Sequence, residues 1–272
     1  MESNNTKELV IFFIITYIFS WLLWLPAVLY LNGLIDGSLE IYYTLGMLAP
    51  FGPMVAAFIL TLKSKGMEGV KKGIKKGLNI RLGWWWIPIL ILVPIIALIA
   101  HTINIFVLGG YIPIIAPIIM IPMVLLVTLL IGGPLAEEFG WRGYAKPRLE
   151  EGLNTTSANI ILGLIWGFWH LPLFFMIGFP HHDYFPLWLF IINCVVFSLL
   201  IAYFQNNTEK LSVVPALIIH TWMNTIMEIM PLMEFRVGGN YNPWLISLII
   251  IGVMIILIFI KYGADLTKNK QI

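Results

Sequence analysis

Apolar stretches of about 20 residues recur along the whole chain, and they restrict its possible folds more than any other feature. Each stretch is long enough to cross the ~30 Å hydrocarbon core of a bilayer. Of the 272 residues, 60% are hydrophobic and only 11% are charged, whereas a soluble domain carries roughly 25% charged residues. The stretches are continuously apolar rather than alternating, which excludes a closed β-barrel. The sequence therefore predicts an all-α integral membrane protein that crosses the bilayer many times.

About eight transmembrane helices are expected within a single transmembrane domain, 1–272. They are placed at about 8–31, 41–62, 84–108, 114–138, 157–179, 185–205, 213–233 and 243–261. The first stretch is too long for the core of a signal peptide, so it is kept as mature structure. The one cysteine, Cys194, lies within a span and excludes an intramolecular disulfide.

Basic residues predict how the chain is oriented. If the chain has eight spans and both termini are cytoplasmic, all but one of its 16 Lys and Arg residues lie on the cytoplasmic side. The exception is Arg236. This separation follows the positive-inside rule. The basic segment 63–83 has apolar residues at helical spacing, which favours an amphipathic helix on the inner leaflet. The alternative is a solvated loop that only sets the orientation.

Two adjacent glutamates follow the uncharged stretch 114–136. On a helix, Glu138 and Arg142 are four residues apart and share one face, so they are expected to form a structural ion pair. Glu137 is rotated by about 100° and has no such partner. We therefore expect Glu138 to be structural and Glu137 to be available for chemistry. The alternative is that both glutamates cap an ion-pair network at the membrane interface.

The fifth span contains the stretch GLIWGFWHLP, which ends shortly after His170. Gly163 and Gly167 form a small-residue face that lets a neighbouring helix approach closely. Trp166 lies one turn before His170. An ionisable residue within a span is a functional candidate, but a lone histidine there is often only a hydrogen-bonded packing residue.

The seventh span carries His220 and Asn224, which are four residues apart and project from one face. At a rise of about 1.5 Å per residue, Glu137, His170 and His220 are all expected to meet in the cytoplasmic half of the membrane. His101 falls toward the opposite leaflet, as does Glu228. Those two are predicted to be packing or network residues.

Three motifs together resemble a known family. EEFGWR contains Glu137, Glu138 and Arg142, WGFWH ends at His170, and HTWMN runs from His220 to Asn224. These match the EExxxR, [FW]xxxH and HxxxN motifs of the CPBP family, the CAAX proteases and bacteriocin-processing enzymes, also called the Abi family. The chain resembles in particular its type II CAAX prenyl endopeptidase (Rce1) branch. The motif-bearing core covers about 131–225, each motif lies on a separate span, and eight spans also fit this branch.

The resemblance implies an intramembrane endopeptidase whose catalytic cavity lies between helices and opens to the cytoplasmic side. By the family pattern, Glu137 and His170 activate a water molecule. His220 and Asn224 stabilise the oxyanion, and Glu138 supports the site together with Arg142. The chemistry is coherent, because amide hydrolysis needs a water, a base and donors aimed at the developing charge.

Metal dependence separates two versions of this mechanism. If a metal were present, Glu137, His170 and His220 would supply three ligands and leave an open position for water, as catalytic zinc requires. The sequence has no HExxH pair on one helix, however. We favour metal-independent water activation with no cofactor, and zinc stays the alternative.

The expected partners are membrane lipids and a prenylated or membrane-bound peptide, with no nucleic acid; the oligomeric state stays open. Buried Glu and His residues on facing helices are also typical of proton-coupled transporters. A non-catalytic membrane protein of the bacteriocin-immunity type is a third alternative. The three spaced motifs, and the absence of a visible inverted repeat, favour the protease.

Overall fold

The computed structural model describes residues 2–111, 114, 116–208, 211–234 and 239–267, and none of these residues lies in a β-strand. The α-helices, in chain order, are α1 (Glu2–Leu31), α2 (Leu39–Gly46), α3 (Gly52–Gly77), α4 (Trp86–Leu108), α5 (Ile121–Leu130), α6 (Pro134–Gly140), α7 (Lys146–Leu149), α8 (Thr155–Trp169), α9 (Pro180–Asp183), α10 (Leu187–Asn207), α11 (Val214–Ile229) and α12 (Asn242–Tyr262). Four residues of the charge prediction, Lys210, Arg236, Lys268 and Lys270, lie outside the described residues.

Six helical stretches among the described residues are long and apolar enough to cross a membrane, and a bent helix pair raises the number to seven. These seven match all the predicted spans except 213–233. That span contains α11, which has only 16 residues and is therefore about 24 Å long. Pro231 follows its end closely, and a proline disfavours helical backbone in the residue before it. The prediction of an all-α, multi-pass membrane protein is confirmed.

The basic segment after the second span is helical. Helix α3 continues to Gly77, with a kink at Gly66, where φ is 63°. Of the two alternatives for this segment, the helical one agrees with the structure. Its end is attached to the start of α11, because the backbone N–H of Val213 donates to the carbonyl of Gly77 at 2.8 Å. The basic segment thereby helps to fix the position of the helix that carries the third motif.

The fourth span is interrupted between α5 and α6. The helical stretches on either side of the break are bent by 43° relative to each other. Gly133 at this break has a φ of 106°, a backbone conformation that residues other than glycine rarely adopt. Helix α6 then packs closely on α3, since a Cβ on Gly140 would lie 2.4 Å from the backbone of Pro53. The break and this close packing place both glutamates inside the protein.

Helices α8 and α10 pack together through the predicted small-residue face. A Cβ on Gly163 would lie 2.5 Å from the Cα of Val195, and one on Gly167 would lie 3.2 Å from the Cα of Ile191. Only glycine allows the backbones to come this close at Gly163. The contact fixes α8, whose last turn carries Trp166 and leads directly to His170.

Candidate active site

The side chain of Trp166 lies at the centre of the motif residues. Its indole Nε1–H donates to Oε2 of Glu137 at 2.7 Å. Its ring centroid lies 5.2 Å from that of His220 and 6.0 Å from that of His170. Both Trp166 and Glu137 are buried. One tryptophan on α8 therefore links the glutamate of the first motif to the histidines of the other two.

The helix break creates the space that the Glu137 carboxylate occupies. A Cβ on Gly133 would lie 2.5 Å from Oε1 of Glu137. Helix α6 begins at Pro134, where a proline is tolerated because the first N–H groups of a helix lack internal acceptors. Gly133 is therefore needed both for its positive φ and for its missing side chain.

Glu138 has partners different from those of Glu137. Its Oε1 accepts a hydrogen bond from Nη1 of Arg142 at 3.0 Å, and Nδ1 of His220 lies 2.7 Å from the same oxygen. The Glu138 and Arg142 side chains are both 0% exposed. The guanidinium also lies 4.4 Å from the centroid of the Trp166 ring, a distance typical of a cation–π contact. The expected ion pair is present, and Glu137, which accepts from Trp166 instead, does not take part in it.

His170 follows the last residue of α8, and its orientation is set by the backbone. Its Nδ1 lies 2.8 Å from the carbonyl oxygen of Trp166. A carbonyl only accepts hydrogen bonds, so Nδ1 carries the proton and Nε2 of the neutral ring is an acceptor. A histidine held in this tautomer is able to take a proton from water.

His220 and Asn224 project from α11 toward the helix break. The Nδ2 of Asn224 donates to the carbonyl of Gly132 at 3.1 Å. Because a carboxamide has two N–H groups, the second is left for a ligand. The contact of His220 with Glu138 uses Nδ1 and leaves Nε2 for the cavity. The oxyanion role predicted for this pair requires donors, which the second amide N–H of Asn224 and an N–H at Nε2 of His220 would supply.

A cavity of about 800 Å³ joins these side chains. Its lining includes Glu137, His170, His220 and Asn224, while Glu138 and Arg142 lie behind it. The remaining walls are mainly aromatic and aliphatic, with contributions from α4, α5, α10, α11 and α12. All four residues predicted to be catalytic thus border one mainly apolar chamber.

Glu137, His170 and His220 are the residues that would hold a zinc ion. Among the residues that the structure describes, no group of three His, Cys, Asp or Glu side chains is arranged to hold one. The Nδ1 atoms of His170 and His220 contact Trp166 and Glu138, which leaves Nε2 of each ring as the nitrogen that would face a metal. In this arrangement Glu137 and these two histidines do not converge on one point as zinc ligands do.

Three residues near the site had no catalytic assignment from the sequence. Trp166 was recognised as a motif position only, although its place one turn before His170 already indicated proximity. His181 lines the cavity and stacks on the ring of His170, with centroids 6.0 Å apart. Glu228 also lines the cavity, so the prediction that it lies apart from the site residues, as a packing or network residue, was wrong in its placement. His101 contacts the carbonyl of Met230 at 3.4 Å, in agreement with its predicted network role.

The fold and the site define a multi-pass membrane protein in which the four residues predicted to be catalytic, Glu137, His170, His220 and Asn224, line one chamber. The family model described as type II CAAX prenyl endopeptidase Rce1-like matches residues 119–226. This stretch contains all three motifs. The family match and the three motifs therefore fall on the same region of the chain.

The chain is also similar to a protein from Methanococcus maripaludis named CAAX prenyl protease 2. The two are 25% identical over 240 residues, which cover 82% of this chain and 85% of the relative. The comparisons confirm the resemblance to Rce1-like proteases of the CPBP family that the motifs indicated, and they support an intramembrane protease.

Proposed function

We propose that the protein hydrolyses a peptide bond near the C-terminus of a prenylated or otherwise membrane-associated protein. The observation that carries this proposal is the hydrogen bond from Trp166 to Glu137 in a chamber shared with His170, His220 and Asn224. The Glu137 carboxylate and the imidazole of His170 thereby border one partly open cavity. The named relative supports a CAAX-type substrate.

The proposed reaction begins with a water molecule held between Glu137 and Nε2 of His170. Glu137 accepts one proton of this water, and Nε2 of His170 accepts a hydrogen bond from its other O–H, while the water oxygen forms a bond to the scissile carbonyl carbon. Asn224 and His220 donate hydrogen bonds to the resulting oxyanion. The carbon–nitrogen bond then breaks, and the proton taken from water goes to the leaving amine. No residue forms a covalent bond to the substrate, and no metal takes part.

The surroundings of the site suit a lipid-modified peptide. Walls that include Met123, Met227 and Trp244 offer apolar contact to a prenyl chain, while His220, Asn224 and Glu228 place polar groups along α11. We further propose that the chamber opens to the cytoplasmic side, with both termini in the cytoplasm. The whole chain then acts as one transmembrane domain, with a core at about 131–225 that carries the chemistry.

The test is the mass of the products formed from a farnesylated peptide with a CAAX terminus. Purified protein is expected to release the last three residues, and an unprenylated peptide of the same sequence is expected to react more slowly. His182→Ala is a suitable control, because that side chain is not among those lining the chamber. An intact peptide in both detergent and lipid vesicles contradicts the proposal. Proton movement across vesicles that depends on Glu137, without cleavage, supports the transporter instead.

A further inference from the structure

Glu228 is an acidic residue in the chamber to which the proposed reaction assigns no task. It lies in the last turn of α11 and forms one helical stripe with His220 and Asn224, at intervals of four residues. All three line the chamber. The side chain of Glu228 is exposed, so its carboxylate is accessible to a ligand.

The described residues that line the chamber offer no fixed cation to this carboxylate. No lysine or arginine is among the lining residues in the part of the chain that the structure describes. Within that part, the Glu228 side chain also has no hydrogen bond or ion pair. Arg142 is committed to Glu138 behind the wall. A free carboxylate in a largely apolar chamber attracts a positive charge more strongly than one in water.

Helix geometry gives the spacing along α11 between Glu228 and His220, beside which the reacting bond is proposed to lie. Eight residues separate it from His220, which corresponds to about 12 Å along α11. An extended peptide advances about 3.3 Å per residue, so Glu228 lies about three to four residues from a bond held at His220. The length of a lysine or arginine side chain widens this to roughly two to five residues.

We propose that Glu228 determines specificity by pairing with a lysine or arginine of the substrate, about two to five residues from the scissile bond. This rests on the proposed function, because it concerns the substrate of the same site. An acidic residue at that position is disfavoured by repulsion. The remaining apolar walls give no charge selection of their own.

The experiment uses membrane-anchored peptides in which a single lysine, glutamine or glutamate is moved along both sides of the cleaved bond. Wild type is expected to prefer lysine at one or two positions by about tenfold in kcat/KM, the effect of a charge-assisted contact. Glu228→Gln is expected to remove the preference, and Glu228→Lys to transfer it to the glutamate peptide. The control Glu40→Gln changes an exposed acid outside the lining residues and is expected to leave the preference intact.

Binding is measured in parallel with inactive Glu137→Gln protein, alone and combined with Glu228→Gln. A lysine preference in binding that requires Glu228 supports the inference even when no peptide is cleaved, which separates it from the proposed function. Equal cleavage and equal binding of the lysine and glutamine peptides by wild type overturns it. So does a lysine preference that survives Glu228→Gln.

Discussion

Replacing Glu138 by glutamine is expected to reduce both stability and turnover, because this one carboxylate serves two buried partners. Its Oε1 accepts from Arg142 at 3.0 Å and contacts Nδ1 of His220 at 2.7 Å. Glutamine keeps the size of the side chain but removes its charge. The change leaves the guanidinium of Arg142, which is 0% exposed, without a counter-charge.

The size of the stability effect follows from this burial. Removing one partner of a buried ion pair costs about 3–5 kcal/mol, because the other charge is left uncompensated. At the ~2–4 °C per kcal/mol of larger soluble domains, the expected fall in melting temperature is about 6–20 °C. Turnover is also expected to fall, because His220 loses the carboxylate oxygen that holds its Nδ1 at 2.7 Å and so orients its ring toward the cavity. The expected loss approaches the ~10²–10³-fold effect of deleting one oxyanion donor.

The assay combines thermal unfolding in detergent with turnover measured well below both melting temperatures. Glu150→Gln is a matched control, because Glu150 forms the same kind of ion pair with Lys146, at 3.1 Å and with 5% and 1% exposure. Glu150 does not line the chamber. Its replacement is expected to lower the melting temperature while turnover of the folded protein stays close to that of the wild type.

Two results would refute this reasoning in different ways. If Glu138→Gln melts at the wild-type temperature, the buried ion pair is not a structural clamp. If it melts earlier but cleaves at the wild-type rate, the contact between Glu138 and His220 has no part in the reaction.

Two further substitutions test the packing around the site. Trp166→Phe keeps an aromatic ring but removes the hydrogen bond to Glu137, so turnover should fall by about 10–100-fold, as expected for a bond to a charged group. Trp169→Phe is its control, because that indole Nε1 has no partner among the described residues; equal losses in both variants would argue against the hydrogen bond. Gly163→Ala should destabilise the protein by about 1–3 kcal/mol through overpacking, since its Cβ would lie 2.5 Å from a backbone atom of α10. Gly252→Ala, which meets nothing within 4 Å, should not, and equal unfolding of the two would contradict the close helix contact.

Local spacing was enough to predict much of the fold and part of the site. Runs of apolar residues gave the spans, since a membrane helix must be long and apolar whatever surrounds it. The Glu138–Arg142 pair follows from helical geometry alone, and the close approach of a neighbouring helix to α8 follows from Gly163 and Gly167; that this helix is α10 comes from the structure. Each of these depends on residues close together in the sequence or on the membrane itself.

Contacts between distant parts of the chain were not predictable in the same way. His220 contacts Glu138 across 82 positions and Trp166 donates to Glu137 across 29, so no sequence period relates them. The shorter α11 was missed because hydropathy continues past Ile229, although Pro231 disfavours further helix. Whether Glu228 lines the chamber likewise depends on how α11 is rotated against its neighbours, which the sequence does not show.

The most direct test of the central claim is the rate at which wild type and Glu137→Ala cleave a farnesylated CAAX peptide under identical conditions. The account predicts that wild type releases the terminal tripeptide. The variant is expected to unfold at a similar temperature yet lose at least about 100-fold in rate, the lower end of what a general base contributes. Turnover at the wild-type rate by folded Glu137→Ala would contradict the assignment of Glu137 as the residue that activates water.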